Sequence, residues 1–208
     1  MKIKMNHSSS QRYVFSFFFL YSFVFGMLFP RIGDLQTQMG IGETNLGLAL
    51  SGLPIGVQLA LLFADKILYY LNFKIIINLG ISLLGFFLFI SSFSYNPFTF
   101  FIFLFCAGFI VGVVEVSVNI EADRVEYKIK KKIMNRSHSF WSLGFFSAGL
   151  LGAIFAQLNI NPSFHFFVCF LLGVFLVFNF SKKYSIAPIR PIFTQKTSLF
   201  VVPSKGIM

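Results

Sequence analysis

Six apolar runs alternate with short polar connections along the chain. They fall at about residues 13–30, 46–64, 75–94, 98–119, 138–157 and 163–180. Each has close to the ~20 residues that a helix needs to cross hydrocarbon. The first run is too long for a signal peptide, and no small-residue cleavage site follows it. It ends at Gly26-Met27-Leu28-Phe29-Pro30-Arg31, where Gly and Pro weaken a helix. Residues 31–45 read as a short polar connection, in which Glu43-Thr44-Asn45 can start the second helix. Asp65 and Lys66 end the second run, and the stretch to Lys74 reads as a partly amphipathic turn. Ser94-Tyr95-Asn96-Pro97 and Asn159-Ile160-Asn161-Pro162 are tight turns. Residues 120–137 form the longest charged loop. The pattern predicts an all-α integral membrane protein with six transmembrane helices. A polar N-terminus (1–12) precedes the membrane unit (13–180), and a basic tail (181–208) with Pro188 and Pro191 follows it.

Composition agrees. Of 208 residues, 56% are hydrophobic and 12% charged, about half the charge of a soluble domain. Mean hydropathy is +0.79. Of the 17 Lys and Arg, 16 lie in alternate polar segments and 1 in the others. The excess of positive charge marks the cytoplasmic side, so both termini are expected in the cytoplasm of a bacterial-type cell with the chain in the inner membrane. This asymmetry accounts for the net charge of +10 without a nucleic-acid partner, since no soluble basic domain is present. Cys106 and Cys169 lie in apolar runs and read as packing residues, with no disulfide framework or metal site. No phosphate-binding loop, His/Glu metal pair or Ser-elbow motif occurs. The chain is therefore expected to be no enzyme and to need no cofactor or metal.

One carboxylate breaks the apolar pattern. Glu115 is the only charged side chain inside the six predicted spans, and Asn119 follows one helical turn later. A charge in hydrocarbon costs a few kcal/mol on insertion scales, about 3 by that measure. Desolvation disfavours the charged form of a carboxyl group, so Glu115 is a candidate for exchanging a proton, with Asn119 able to hydrogen-bond either form. The opposing reading is an interfacial acid whose charge snorkels to water. Its depth decides between them. Glu115 lies about 27 Å along a helix that begins at Pro97, and it sits deeper if that helix continues into Glu121–Tyr127. Among other candidates for a cavity or gate, Gln58 is the only amide in the second span and could equally hydrogen-bond a neighbouring helix. His138 and Trp141 open the fifth span, where Trp commonly anchors at the interface. Asp65 and Lys66 read as a loop charge pair with a gating role as the alternative. The lysines of Lys128–Arg136 set topology and could also meet anionic lipid.

Two stripes of small residues recur at four-residue spacing: Gly52, Gly56, Ala60 and Ala64 in the second span, and Gly144, Ala148, Gly152 and Ala156 in the fifth. Such stripes let helices approach closely. They occupy the middle helices of two successive triplets, the arrangement of transporters built from inverted three-helix repeats.

These features together resemble the N-terminal six-helix half of a major facilitator superfamily transporter, over about residues 13–180. Ala64-Asp65-Lys66 with Lys74 resembles the superfamily's cytoplasmic motif between helices two and three, with Leu61 at the usual leading Gly and no internal Gly-Arg pair. Gly112-Val-Val-Glu115-Val-Ser-Val-Asn119 resembles helix four of the fucose-permease-like branch, and His138-Ser139-Phe140-Trp141-Ser142-Leu143-Gly144 resembles the start of helix five in relatives of that branch. The resemblance implies proton-coupled transport of a small polar solute such as a sugar by alternating access, with Glu115 as the proton site. The sugar permease's second acid, in helix one, has no counterpart in Tyr13–Pro30. It also implies that the chain is half of a twelve-helix carrier: Leu199–Met208 reads as the approach to a seventh span, with the missing C-terminal half or a second chain as partner beside solute and membrane lipid. The alternative is a non-transporting scaffold or subunit that associates through its Gly/Ala faces.

Overall fold

A computed structural model describes residues 7–189. The predicted 1–6 part of the N-terminus and the predicted approach to a seventh span lie outside the described residues. Within them every regular element is a helix, with no strand. The elements are α1 (His7–Gly26), a 3-10 turn (Phe29–Arg31), α2 (Ile32–Met39), α3 (Glu43–Leu50), α4 (Gly52–Tyr70), α5 (Phe73–Ser91), α6 (Pro97–Ile129), α7 (Met134–Gln157) and α8 (Pro162–Lys183). Six stretches are long and apolar enough to cross a membrane, as an integral membrane protein requires; α1 with α2, and α3 with α4, each form one of them.

The polar connections are shorter than the sequence pattern predicts. Residues 31–45 are largely helix, with Gly40 in the left-handed conformation (φ 62°) closing α2. Asp65 and Lys66 lie inside α4, which runs on to Tyr70. The predicted loop 120–137 is mostly helix as well, since α6 continues to Ile129 and α7 begins at Met134. The reason is visible in the apolar period: Val111, Val114, Val118, Ala122 and Val125 form one buried stripe, so the charged residues between them ride on the same helix. Glu126 then accepts hydrogen bonds from the backbone N–H groups of Ile133 and Met134 and fixes the start of α7. Other starts are fixed locally. Asn72, Asn96 and Asn161 cap α5, α6 and α8, and Pro97 and Pro162 occupy first-turn positions where a missing N–H costs nothing.

The helices run up and down, and two ends result. At one, Ser10, Glu121, Glu126, Lys128, Ile133 and Tyr184 meet; this end gathers the lysines. At the far end, Gln38 donates to the carbonyls of Ser92 and Ser94, and Ser92 meets Ser163. α6 packs on α4 and α5, α1 on α7, and α5 on α8. The small-residue stripes make two of these contacts. On α4, Gly56 lies against Phe105 and Gly108 of α6, and Ala60 faces Gly112. On α7, Gly144 lies against Phe19 of α1, Ala148 faces Gly26, and Gly152 touches Pro30. A Cβ on Gly56, Gly108 or Gly144 would run into a backbone carbonyl of the neighbouring helix.

Candidate functional site

Spacing on α6 puts Glu115 and Asn119 on one face. The Asn119 Nδ2 donates to Glu115 Oε1 at 3.0 Å and to the Glu115 carbonyl at 2.8 Å. Both residues are half-buried. From α1, buried Tyr21 brings its hydroxyl beside the Glu115 carboxylate, and from α7 the Trp141 indole N–H faces the same hydroxyl. No hydrogen bond of ordinary geometry closes on Trp141 Nε1, although that atom is buried. The indole stacks on Phe145 with centroids 5.4 Å apart and planes 12° apart. Residues of α6, α1 and α7 thus line up from Glu115 through Tyr21 to Trp141.

Depth follows from the length of α6. Glu115 stands roughly 27 Å from Pro97 and roughly 21 Å from Ile129 at 1.5 Å per residue. Its helix does continue through Glu121–Tyr127, so Glu115 is not at the end of its helix. The same continuation means that Glu115 is not the only charged side chain in the spanning helices.

The remaining sequence candidates are dispersed. His138 is exposed, one turn before Trp141, with its ring edge-on to Phe18 at 5.3 Å. Gln58 is exposed on α4 and makes no side-chain hydrogen bond. Asp65 and Lys66 are exposed and form no ion pair with each other. Cys169 is buried and Cys106 half-buried, both free.

Two charged groups that sequence reasoning passed over are more deeply buried than Glu115. Glu121 is 1% exposed. Its Oε1 accepts from the Tyr184 hydroxyl at 2.6 Å and from the Ala187 backbone N–H at 2.7 Å, and its Oε2 lies 3.4 Å from Arg124 Nη1. Burial first, and then the carboxylate, push the Tyr184 phenol well above its ordinary range. Arg31 is 2% exposed. Its Nε lies 2.7 Å from Asp34 Oδ2, and its Nη2 donates to the Ile160 carbonyl, tying the 3-10 turn before α2 to the turn before α8. His165, also buried, sits nearby with both ring nitrogens unpartnered. For Glu121 a signal existed: the Val111–Val125 stripe runs past it. For Arg31 the signal was its isolation, as the single Lys or Arg at the far end among the described residues. Tyr21 carried none, being one aromatic among many in α1.

No protein-family model matches the chain, and no curated protein matches it.

Proposed function

We propose that the chain is the six-helix half of a secondary active transporter, in which Glu115 takes up and releases the coupling proton and Asn119 positions its carboxyl group. The observation that carries this reading is the convergence of Glu115, Asn119, Tyr21 and Trp141 from α6, α1 and α7. A carboxylate at a helix junction in an apolar bundle is costly, and intramembrane acids of this kind mark proton and substrate paths.

Helix pairing supports the inverted-repeat organisation. The middle helix of the first triplet (α4) packs its small stripe on the first helix of the second (α6). The middle helix of the second (α7) packs its stripe on the first helix of the first (α1). Exchanging the triplets maps one contact onto the other, as a pseudo-two-fold arrangement requires. The proposal includes the major facilitator layout, with a second six-helix unit completing the cavity, the lysine-rich end in the cytoplasm and the chain in the inner membrane. The scaffold alternative needs a free Gly/Ala face, whereas Gly52, Gly56, Ala60, Gly144, Ala148 and Gly152 are all buried against helices of this chain.

The test is solute-dependent proton movement. The full chain is reconstituted, with any partner that co-purifies, into liposomes containing a pH-sensitive dye. Sugars, amines and carboxylates are then added in turn. The wild type should move protons with one of these classes, and Glu115→Gln should not. Proton movement unaltered in Glu115→Gln, or none in the wild type, overturns the assignment.

A further inference from the structure

The α4–α5 turn, α6 and the segment after α8 border a cleft of about 390 Å³ at the lysine-rich end, within the range of small-molecule sites, roughly 300–1,000 Å³. Residues 68–73 line one side, Ser117, Ile120 and Arg124 a second, and Ile186, Ala187 and Ile189 a third. Glu121 holds the third wall in place, since its Oε1 accepts from the Tyr184 hydroxyl and the Ala187 N–H. Arg124 is the only charged residue in the lining. Glu121 approaches it only through Oε2, 3.4 Å from Nη1. A guanidinium has five N–H donors, so most of those of Arg124 are left for a ligand, and its side chain is 26% exposed. Asn72 Oδ1 accepts from the Ile75 N–H, which leaves its amide N–H groups as further donors. Leu68, Leu71, Ile120, Ile186 and Ile189 make much of the remaining wall apolar.

Depth points to the source of a ligand. Arg124 stands roughly 40 Å along α6 from Pro97 at 1.5 Å per residue, past the ~30 Å of membrane hydrocarbon. Tyr69 and Tyr70 on the rim are exposed, and tyrosine collects at the membrane–water boundary. The cleft therefore opens at headgroup level. A guanidinium can meet a phosphodiester with two parallel hydrogen bonds, and apolar walls suit the first carbons of acyl chains. Basic pockets between helices at this level bind anionic headgroups. The chain's own next residues are the rival occupant, but residues 190–208 carry Arg190, Lys196 and Lys205 and no Asp or Glu. We infer that the cleft is a binding site for an anionic phospholipid, its phosphate on Arg124 and its chains against Leu71, Ile120 and Ile186. Glu115 does not line the cleft, so the site stands apart from the proton-exchange reading.

Native mass spectrometry of the full chain in detergent micelles counts the lipids it retains. The chain is titrated with phosphatidylglycerol, with zwitterionic phosphatidylcholine and with glycerol 1-phosphate. One saturable phosphatidylglycerol adduct should form, at least about fivefold tighter than that of phosphatidylcholine, the worth of one cation near anionic lipid. Arg124→Gln should lower the affinity by a similar factor. Ile120→Trp narrows the cleft from an exposed position and leaves Arg124 in place; it too should weaken the adduct, and it serves if Arg124→Gln fails to fold. Lys131→Gln with Lys132→Gln removes two exposed cations outside the cleft and should leave the adduct intact. Phosphatidylglycerol held no tighter than phosphatidylcholine overturns the inference, as does an adduct that survives both Arg124→Gln and Ile120→Trp. Loss in the lysine variant alone overturns it in favour of general surface attraction. Glycerol 1-phosphate retained as tightly as phosphatidylglycerol overturns the lipid as the source of the phosphate.

Discussion

The Tyr184 hydroxyl donates a 2.6 Å hydrogen bond to Glu121, sixty-three residues earlier in the chain. It straps the segment after α8 onto the lysine-rich end of α6, and the Ala187 backbone N–H adds a second donor to the same oxygen. Tyr184→Phe removes one donor and leaves the buried carboxylate short of a partner, which should cost roughly 1–3 kcal/mol. Thermal unfolding in nanodiscs checks this through a lowered midpoint. The pH dependence has a definite sign. Because the folded-state phenol is raised above its ordinary value, its contribution is complete below about pH 10, the unfolded value, and is lost as pH rises beyond it. With Glu121 ionised, the gap between wild type and Tyr184→Phe should stay constant up to that pH and narrow above it.

Close helix contact makes a second prediction. A Cβ on Gly108 would meet the Leu53 backbone across the α4–α6 contact. Gly108→Ala should force the helices apart and cost about 1–3 kcal/mol, the range for overpacked cores. Gly47 has nothing within 4 Å of such a Cβ, so Gly47→Ala should be neutral or stabilise by up to ~1 kcal/mol through helix propensity. The unfolding midpoint should therefore fall in Gly108→Ala and hold or rise in Gly47→Ala.

Arg31 and Asp34 make a third, through an asymmetry of burial. The Arg31 side chain is 2% exposed and that of Asp34 44%. Asp34→Ala strands a buried cation, whereas Arg31→Met keeps the side chain's length and leaves the carboxylate facing water. The acid substitution should therefore destabilise more than the arginine substitution. Its cost should fall below the roughly 3–5 kcal/mol of a wholly buried broken pair, because Asp34 is partly solvated. Equal losses in paired melting curves would remove this account of the far end.

The six spans were legible because a membrane demands long apolar runs, and both Gly/Ala stripes were legible from their spacing. Their partner helices were not, since nothing local says that α4 seats on α6 and α7 on α1. Helix ends were misread where helices outrun the apolar run. Residues 120–129 carry Glu121, Asp123, Arg124, Glu126 and Lys128, and hydropathy sees charge there, while the buried stripe through Ala122 and Val125 keeps the helix intact. Glu115 and Asn119 could be paired from their spacing alone. Tyr21 could not, nor could the burial of Glu121 and Arg31, whose partners Tyr184 and Ile160 arrive from distant segments.

Glu115 as a proton-exchanging group is the central claim, and infrared difference spectroscopy of its carboxyl C=O stretch tests it most directly. Spectra of the full chain in nanodiscs are recorded between acidic and neutral pH, for the wild type and for Glu115→Gln. The account predicts a titrating carboxyl band in the wild type that is missing from the variant. An identical band in Glu115→Gln would assign the exchangeable proton to another carboxyl group and contradict the account.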